Sequence, residues 1–150
     1  MNFFTFPYLI KTICNSFKQE ILEAEHNFTA STGNTFNLAL YDSDATLNKS
    51  TTVYTTSEEL ATTGGYTAKG NALTSVTPVL DSDTAVCDFA DTSWTSASFT
   101  ARGCLIFNDS HSSDAAVCAI DFGGDKTVTS GTFTVEFPAA AAATAIIQIA

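Results

Sequence analysis

Phe99-Thr-Ala-Arg-Gly-Cys-Leu-Ile-Phe-Asn108 and Ala119-Ile-Asp-Phe-Gly-Gly-Asp-Lys126 decide how this chain reads. Within and around them, 103–107 and 115–120 are near-continuous apolar runs, the pattern of strands buried on both faces. The polar stretch Asp109-Ser-His-Ser-Ser-Asp114 separates them, so the two runs are predicted to be the central strands of one hairpin with an exposed tip. Working outward, further short strands are predicted at 76–80, 85–89, 96–100, 132–137 and 145–149, and 115–120 extends to 122. Strands at such spacing, with no amphipathic helices between them, point to an all-β sandwich or barrel-like domain rather than a βαβ fold.

Composition agrees. Apolar residues make up 45% of the 150 residues and charged ones 15%, while Thr and Ser supply a quarter of the chain. Threonine's branched Cβ suits a pleated surface, so this bias favours strands. The length suits one β domain over residues 15–150. The formal charge is −10, and the six cations at Lys11, Lys18, Lys49, Lys69, Arg102 and Lys126 are scattered. Phosphate binding needs clustered cations, which argues against a nucleic-acid partner. No stretch approaches the length of an apolar membrane span, and no membrane partner is expected.

The N-terminal part differs from the rest. Residues 1–14 are largely apolar, uncharged except for Lys11, and read as an arm that something must cover, with Phe3, Phe4, Phe6, Tyr8, Leu9 and Ile10 as the candidate interface. The stretch lacks a positive n-region, carries Pro7 and has no small-residue cleavage site, so it does not read as an export signal. Folding in the cytosol is the expectation. Ser16 and Gln19 have the spacing of a capping box, and Phe17, Ile21, Leu22 and Ala24 recur at helical spacing. One short helix is therefore predicted over 16–25. A turn at 31–34 leads into a half-buried strand at 35–41. Residues 42–75, rich in Asp, Ser, Thr and Gly, read as long loops with short strands and one helical turn near 57–60. The alanine run 139–143 reads as a connection.

Residues that could carry chemistry are dispersed. His26 and His111 are the two histidines, and no nucleophile elbow accompanies either. Cys14, Cys87, Cys104 and Cys118 lack metal-knuckle or redox spacing and read as buried free thiols acting as small hydrophobes. Asp88, Asp91, Asp121 and Asp125 could place carboxylates at neighbouring strand ends, as a Ca²⁺ site would need. Without an Asp-x-Asp-x-Asp-Gly loop they read as turn residues. Asp121-Phe-Gly123 matches a kinase magnesium triplet, but the other kinase motifs are absent. Arg102, the sole arginine, is expected to pair with one of these aspartates, and Trp94, Phe89 and Phe99 to lie in the core. The expectation is a chain with no catalytic residues, no metal and no cofactor.

Taken in order, Cys14-Asn-Ser-Phe-Lys-Gln-Glu-Ile-Leu22, His26-Asn-Phe28, Phe36-Asn-Leu-Ala-Leu-Tyr41, Trp94, Phe99-Thr-Ala-Arg-Gly103, Asp121-Phe-Gly123, Gly131-Thr-Phe-Thr-Val135 and Phe137-Pro138 resemble a family of small structural proteins of tailed bacteriophages, including those of cyanobacteria. The resemblance runs from about residue 13 to the end and implies a virion component, assembled in the host cytoplasm, with no catalytic residues to carry over. It leaves head and tail open. A small acidic β domain with an apolar arm fits a capsid decoration or cement protein, its partners being the major capsid protein and copies of itself, as a trimer. The alternative is a tail, baseplate or fibre component that contacts the host surface through the 42–75 loops and the 109–114 tip.

Overall fold

The computed structural model describes residues 10–150, and it is all-β and sandwich-like: two antiparallel sheets packed together, with one short helix. The strands are β1 (Ile10–Ile13), β2 (Phe36–Tyr41), β3 (Asn71–Ala72), β4 (Ser75–Asp81), β5 (Thr84–Phe89), β6 (Thr92–Asn108), β7 (Ala115–Val135) and β8 (Ile147–Ile149). The larger sheet runs β1-β7-β6-β2-β3 and the smaller β4-β5-β8.

The predicted hairpin is the centre of the fold. Leu105 faces Ala119 and Ile106 faces Cys118, with the connection at 109–114. The separately predicted strands at 96–100 and 103–108 are one strand, β6, and those at 115–122 and 132–137 merge into β7 up to Val135. Four irregularities of register along this pair, with Ser96 and Ser130 at positive φ, bend strands too long to stay flat. Short-strand punctuation in the sequence was therefore bulge, not strand end.

β2 departs from expectation in burial. Phe36, Leu38 and Leu40 face the smaller sheet, where Phe36 stacks on Phe28 at 4.3 Å and lies 5.7 Å from Phe89. The intervening Asn37, Ala39 and Tyr41 are buried as well, because the 42–70 segment folds back over that face. The strand is thus covered on both sides rather than half-buried. Near 57–60 there is no helical turn: Glu59 bridges Tyr41, and the Leu60 amide donates to the Leu40 carbonyl at 3.0 Å, extending the sheet instead.

Helix α1 spans Asn15–Glu20, shorter than predicted. The chain enters it directly from β1, so Cys14 occupies the N-cap position with no side-chain cap, and Ser16, inside the helix, has a buried hydroxyl with no partner among the described residues. The capping box does not form. Beyond Glu20 the bonds tighten to three-residue spacing, as from the Leu22 amide to the Gln19 carbonyl, and Ala24 at φ 61° ends the turn.

Candidate interaction surfaces

Of the predicted interface residues, Phe3, Phe4, Phe6, Tyr8 and Leu9 lie outside the described residues. Ile10 opens β1 opposite Asp121 and is 61% exposed. Residues 10–13 therefore belong to an edge strand of the larger sheet, and Cys14 is fully buried, so the domain begins earlier than the arm boundary at residue 14 implied. Beside Ile10, the Arg102 Nε donates to Asp121 Oδ1 at 3.0 Å, the ion pair expected from the sequence. That contact, helped by the Gly123 amide at 2.8 Å, holds the Asp121 carboxyl below the usual range. A cleft of about 320 Å³ lies here between β1 and the 42–48 loop, lined by Ile10, Tyr41, Leu47, Arg102 and Asp121 among others.

The four aspartates considered for Ca²⁺ are not brought together. Asp88 is buried on β5 and accepts from the Phe89 amide, Asp91 accepts from the Phe137 amide, Asp121 is held by Arg102, and the Asp125 charge acts on that same guanidinium. Burial pushes the Asp88 carboxyl up to about 6, against the opposing effects of the Phe89 amide and Lys11. Asp42, Asp44 and Glu58 do converge, their oxygens within 4.8 Å of one another. The Asp44 amide donates to Asp42 Oδ1 at 2.9 Å and the Asp42 amide to the Glu58 carbonyl, so turn geometry accounts for the cluster. Sequence spacing could not show it, because Glu58 arrives from a separate loop.

The histidines meet at the hairpin tip. Asn108 Oδ1 accepts from the Ser110 amide, which orients the Asn108 amide nitrogen toward His26 Nδ1 at 3.0 Å. His26 Nδ1 is thus the acceptor, and Nε2 carries the proton donated to Glu20 Oε2 at 2.9 Å. His111 stacks on His26 with centroids 6.3 Å apart and reaches Glu25 at 3.3 Å. The arrangement ties α1 and its following loop to the hairpin tip, and Ser113, two residues after His111, places its hydroxyl 2.9 Å and its amide 3.3 Å from His111 Nδ1, a local turn contact at the tip.

The loop region is more firmly held than its composition suggests. Glu59 accepts hydrogen bonds from the Tyr54 hydroxyl, from the Tyr66 hydroxyl at 2.7 Å and from the Lys69 amide at 2.6 Å. Tyr66 also accepts from the Leu40 amide at 3.0 Å, stitching the loop to β2. Burial, followed by the Glu59 hydrogen bond, raises the Tyr54 and Tyr66 hydroxyls well above the usual phenol range. Lys69 Nζ bridges Asp109 at 2.9 Å and Asp114 at 2.8 Å and sits over the Tyr54 and Phe107 rings, closing both ends of the tip. The tip is polar and exposed at Ser110, Ser112 and Ser113, as expected, and Lys69 and Glu25 hold its flanks in place. The Glu59 hub escaped the sequence reading because its partners converge only in the fold.

All four thiols are free and buried, as expected. Burial pushes Cys14 up to about 11 and Cys87 and Cys118 up to about 12, and Cys104 rises well above the ordinary thiol value. Protonated thiols of this kind are poor nucleophiles at neutral pH. Trp94 and Phe89 are core residues, and Phe99 is partly buried beside Phe133.

The smaller sheet presents the opposite character. β4 is exposed or half-exposed along its whole length, interrupted by Pro78 and a bulge. Leu80, Ala85 and Ile149 stand side by side across its three strands, with Leu80 75% and Ile149 56% exposed. Next to this row an apolar groove of about 490 Å³ opens between the sheet and the 21–29 segment, lined by Ile21, Phe28, Pro78, Ala85, Ile147 and Ile149 among others.

The fold and these surfaces define an all-β sandwich-like domain with one tightly covered sheet and one apolar open face. No family model, curated protein or solved structure matches the chain.

Proposed function

We propose that this chain is a structural subunit of a tailed-phage particle, most simply a decoration protein that stabilises the head shell. One observation carries the reading: large exposed apolar side chains gather at sheet margins, with Ile10 on β1 and Val79, Leu80 and Ile149 on the smaller sheet. Sheet margins of this kind bury apolar area against neighbouring subunits and offer backbone groups for pairing. The acidic charge supports contact with protein rather than nucleic acid. The order of residues that resembles phage structural proteins supports the same role, in which the chain works through surfaces and not through a reaction.

Localisation of the chain on intact particles tests this. Antibody label or density distributed over the head is the expected result. Label confined to the tail end would replace the decoration role with that of a tail or baseplate component, and absence from particles would overturn both.

A further inference from the structure

We infer that the joint between the 21–29 segment and the hairpin tip is acid-sensitive, and that it opens when His26 takes up a proton at Nδ1. The His26 side chain is fully buried, and in its neutral form both ring nitrogens are satisfied: Nε2 donates to Glu20 Oε2 at 2.9 Å, and Nδ1 accepts from the Asn108 amide nitrogen at 3.0 Å. Backbone donors fix that polarity independently of the histidine. The Asn27 amide donates to Asn34 Oδ1 at 2.7 Å and the Ser110 amide to Asn108 Oδ1 at 3.1 Å, which orients both side-chain amides. The Asn108 nitrogen is then shared among Asn34 Oδ1, the Glu25 carbonyl and His26 Nδ1. Turning Asn108 over would set its oxygen against the first two acceptors and its nitrogen against the Ser110 amide.

An imidazolium donates from both nitrogens. Among the described residues, the titratable groups around His26 are Glu20 at the end of α1, Glu25 in the turn that follows and His111 on the tip, while the rings of Phe17, Phe28 and Phe36 pack around it. Lys69, Asp109 and Asp114 form a separate cluster on the tip. Glu20 sits at Nε2, where the neutral ring already carries its proton, so the proton that acid adds goes to Nδ1, against the Asn108 donor. His111 repeats the arrangement nearer the surface. Its Nε2 lies 3.3 Å from Glu25 and its Nδ1 faces the Ser113 amide at 3.3 Å, so it too gains its second proton at Nδ1, with its centroid 6.3 Å from that of His26. The two carboxylates can hold charged rings only after the Asn108 contact is given up. The link to the tip is therefore present above the imidazole range and is lost as pH falls through it, between about pH 8 and about pH 5.

The inference goes beyond the structural role proposed above and does not rest on it. Amide exchange of the full chain at about pH 7.5 and about pH 5.5, corrected for the intrinsic effect of pH on exchange, tests it. The amides of Asp109, Ser110 and His111, bonded to Thr35, to Asn108 Oδ1 and to the Asn108 carbonyl, should be about tenfold less protected at the lower pH, with those of Leu105 and Ile106 unchanged. His26→Phe, whose ring would stand among Phe17, Phe28 and Phe36, should abolish the dependence. Nitrogen-15 spectra of the parent imidazoles need no variant: His26 should carry its proton on Nε2 at the higher pH and gain one on Nδ1 at the lower. A His26 protonated on Nδ1 at the higher pH, a ring that stays neutral at the lower, a ring that charges with tip protection unchanged, or an equal loss of protection in His26→Phe would each overturn the inference.

Discussion

The two faces of the large sheet are covered in different ways. On one, the 42–70 segment lies against β2 through directional bonds: Glu59 gathers three donors, Tyr66 reaches the β2 backbone, and Lys69 closes the hairpin tip. On the other, the smaller sheet packs through aromatic rings around Phe28, Phe36 and Phe89, and its outer strand stays apolar and open. The difference teaches that a loop rich in polar residues can be the rigid side of a molecule, while the side with regular strands keeps surface in reserve.

Substitutions can break that contrast. The largest effect belongs to Gly70→Ala. Gly70 sits at φ 65°, and an added Cβ would come within 1.8 Å of the Leu38 carbonyl oxygen, so the return of the loop onto β2 cannot accommodate it. A loss of about 4 kcal/mol is expected in urea unfolding. Glu59→Ala comes next, at about 3 kcal/mol, because two phenol hydroxyls and the Lys69 amide lose their common acceptor. A change under 0.5 kcal/mol would show that the loop is held by packing alone.

Asp88→Asn acts in the opposite sense. The Asp88 carboxyl is buried, and its folded value of about 6 lies above the ordinary 3.8, so the native state holds its proton more tightly than the unfolded chain does. Its contribution to stability is present below about pH 4 and is lost as pH rises to about 6. The asparagine variant, which still accepts from the Phe89 amide, should exceed the parent by about 2–3 kcal/mol at pH 8 and match it near pH 3. Unfolding curves at the two pH values decide this, and an equal difference at both would remove Asp88 as the cause. The smallest effect is expected at Leu80→Ser, within about 0.5 kcal/mol, since that side chain is already open to solvent. A larger loss in a melt would mean that Leu80 is covered in solution, which would sharpen the case for an occupied open face.

Strand positions were legible where the apolar pattern is strong. The 103–107 and 115–120 runs, the strand over 85–89 and the pairing of Arg102 with an aspartate follow from residue order, while the choice of Asp121 among the four candidates does not. What was hidden depends on residues distant in sequence. The bends of β6 and β7 fall at Ser96, Ser130 and the bulge by Arg102, where polar residues and altered register imitate strand ends. The failed cap at Ser16 arises because β1 feeds straight into α1, moving the N-cap two residues back to Cys14, which local spacing cannot reveal. Of the candidate surface, only Ile10 was readable in advance. The groove needs the 21–29 segment, β5 and β8 to meet, and no local pattern encodes that meeting.

The sealed thiols have a practical consequence. Because Cys14, Cys87, Cys104 and Cys118 are all buried with raised thiol values, none offers an accessible thiolate to a maleimide or a disulfide reagent near neutral pH. Ser112→Cys, at an exposed position of the hairpin tip, would then supply the single addressable thiol of the molecule. The wild-type cysteines could stay in place, and a dye, a polymer or a solid support could be attached at one known point on the surface.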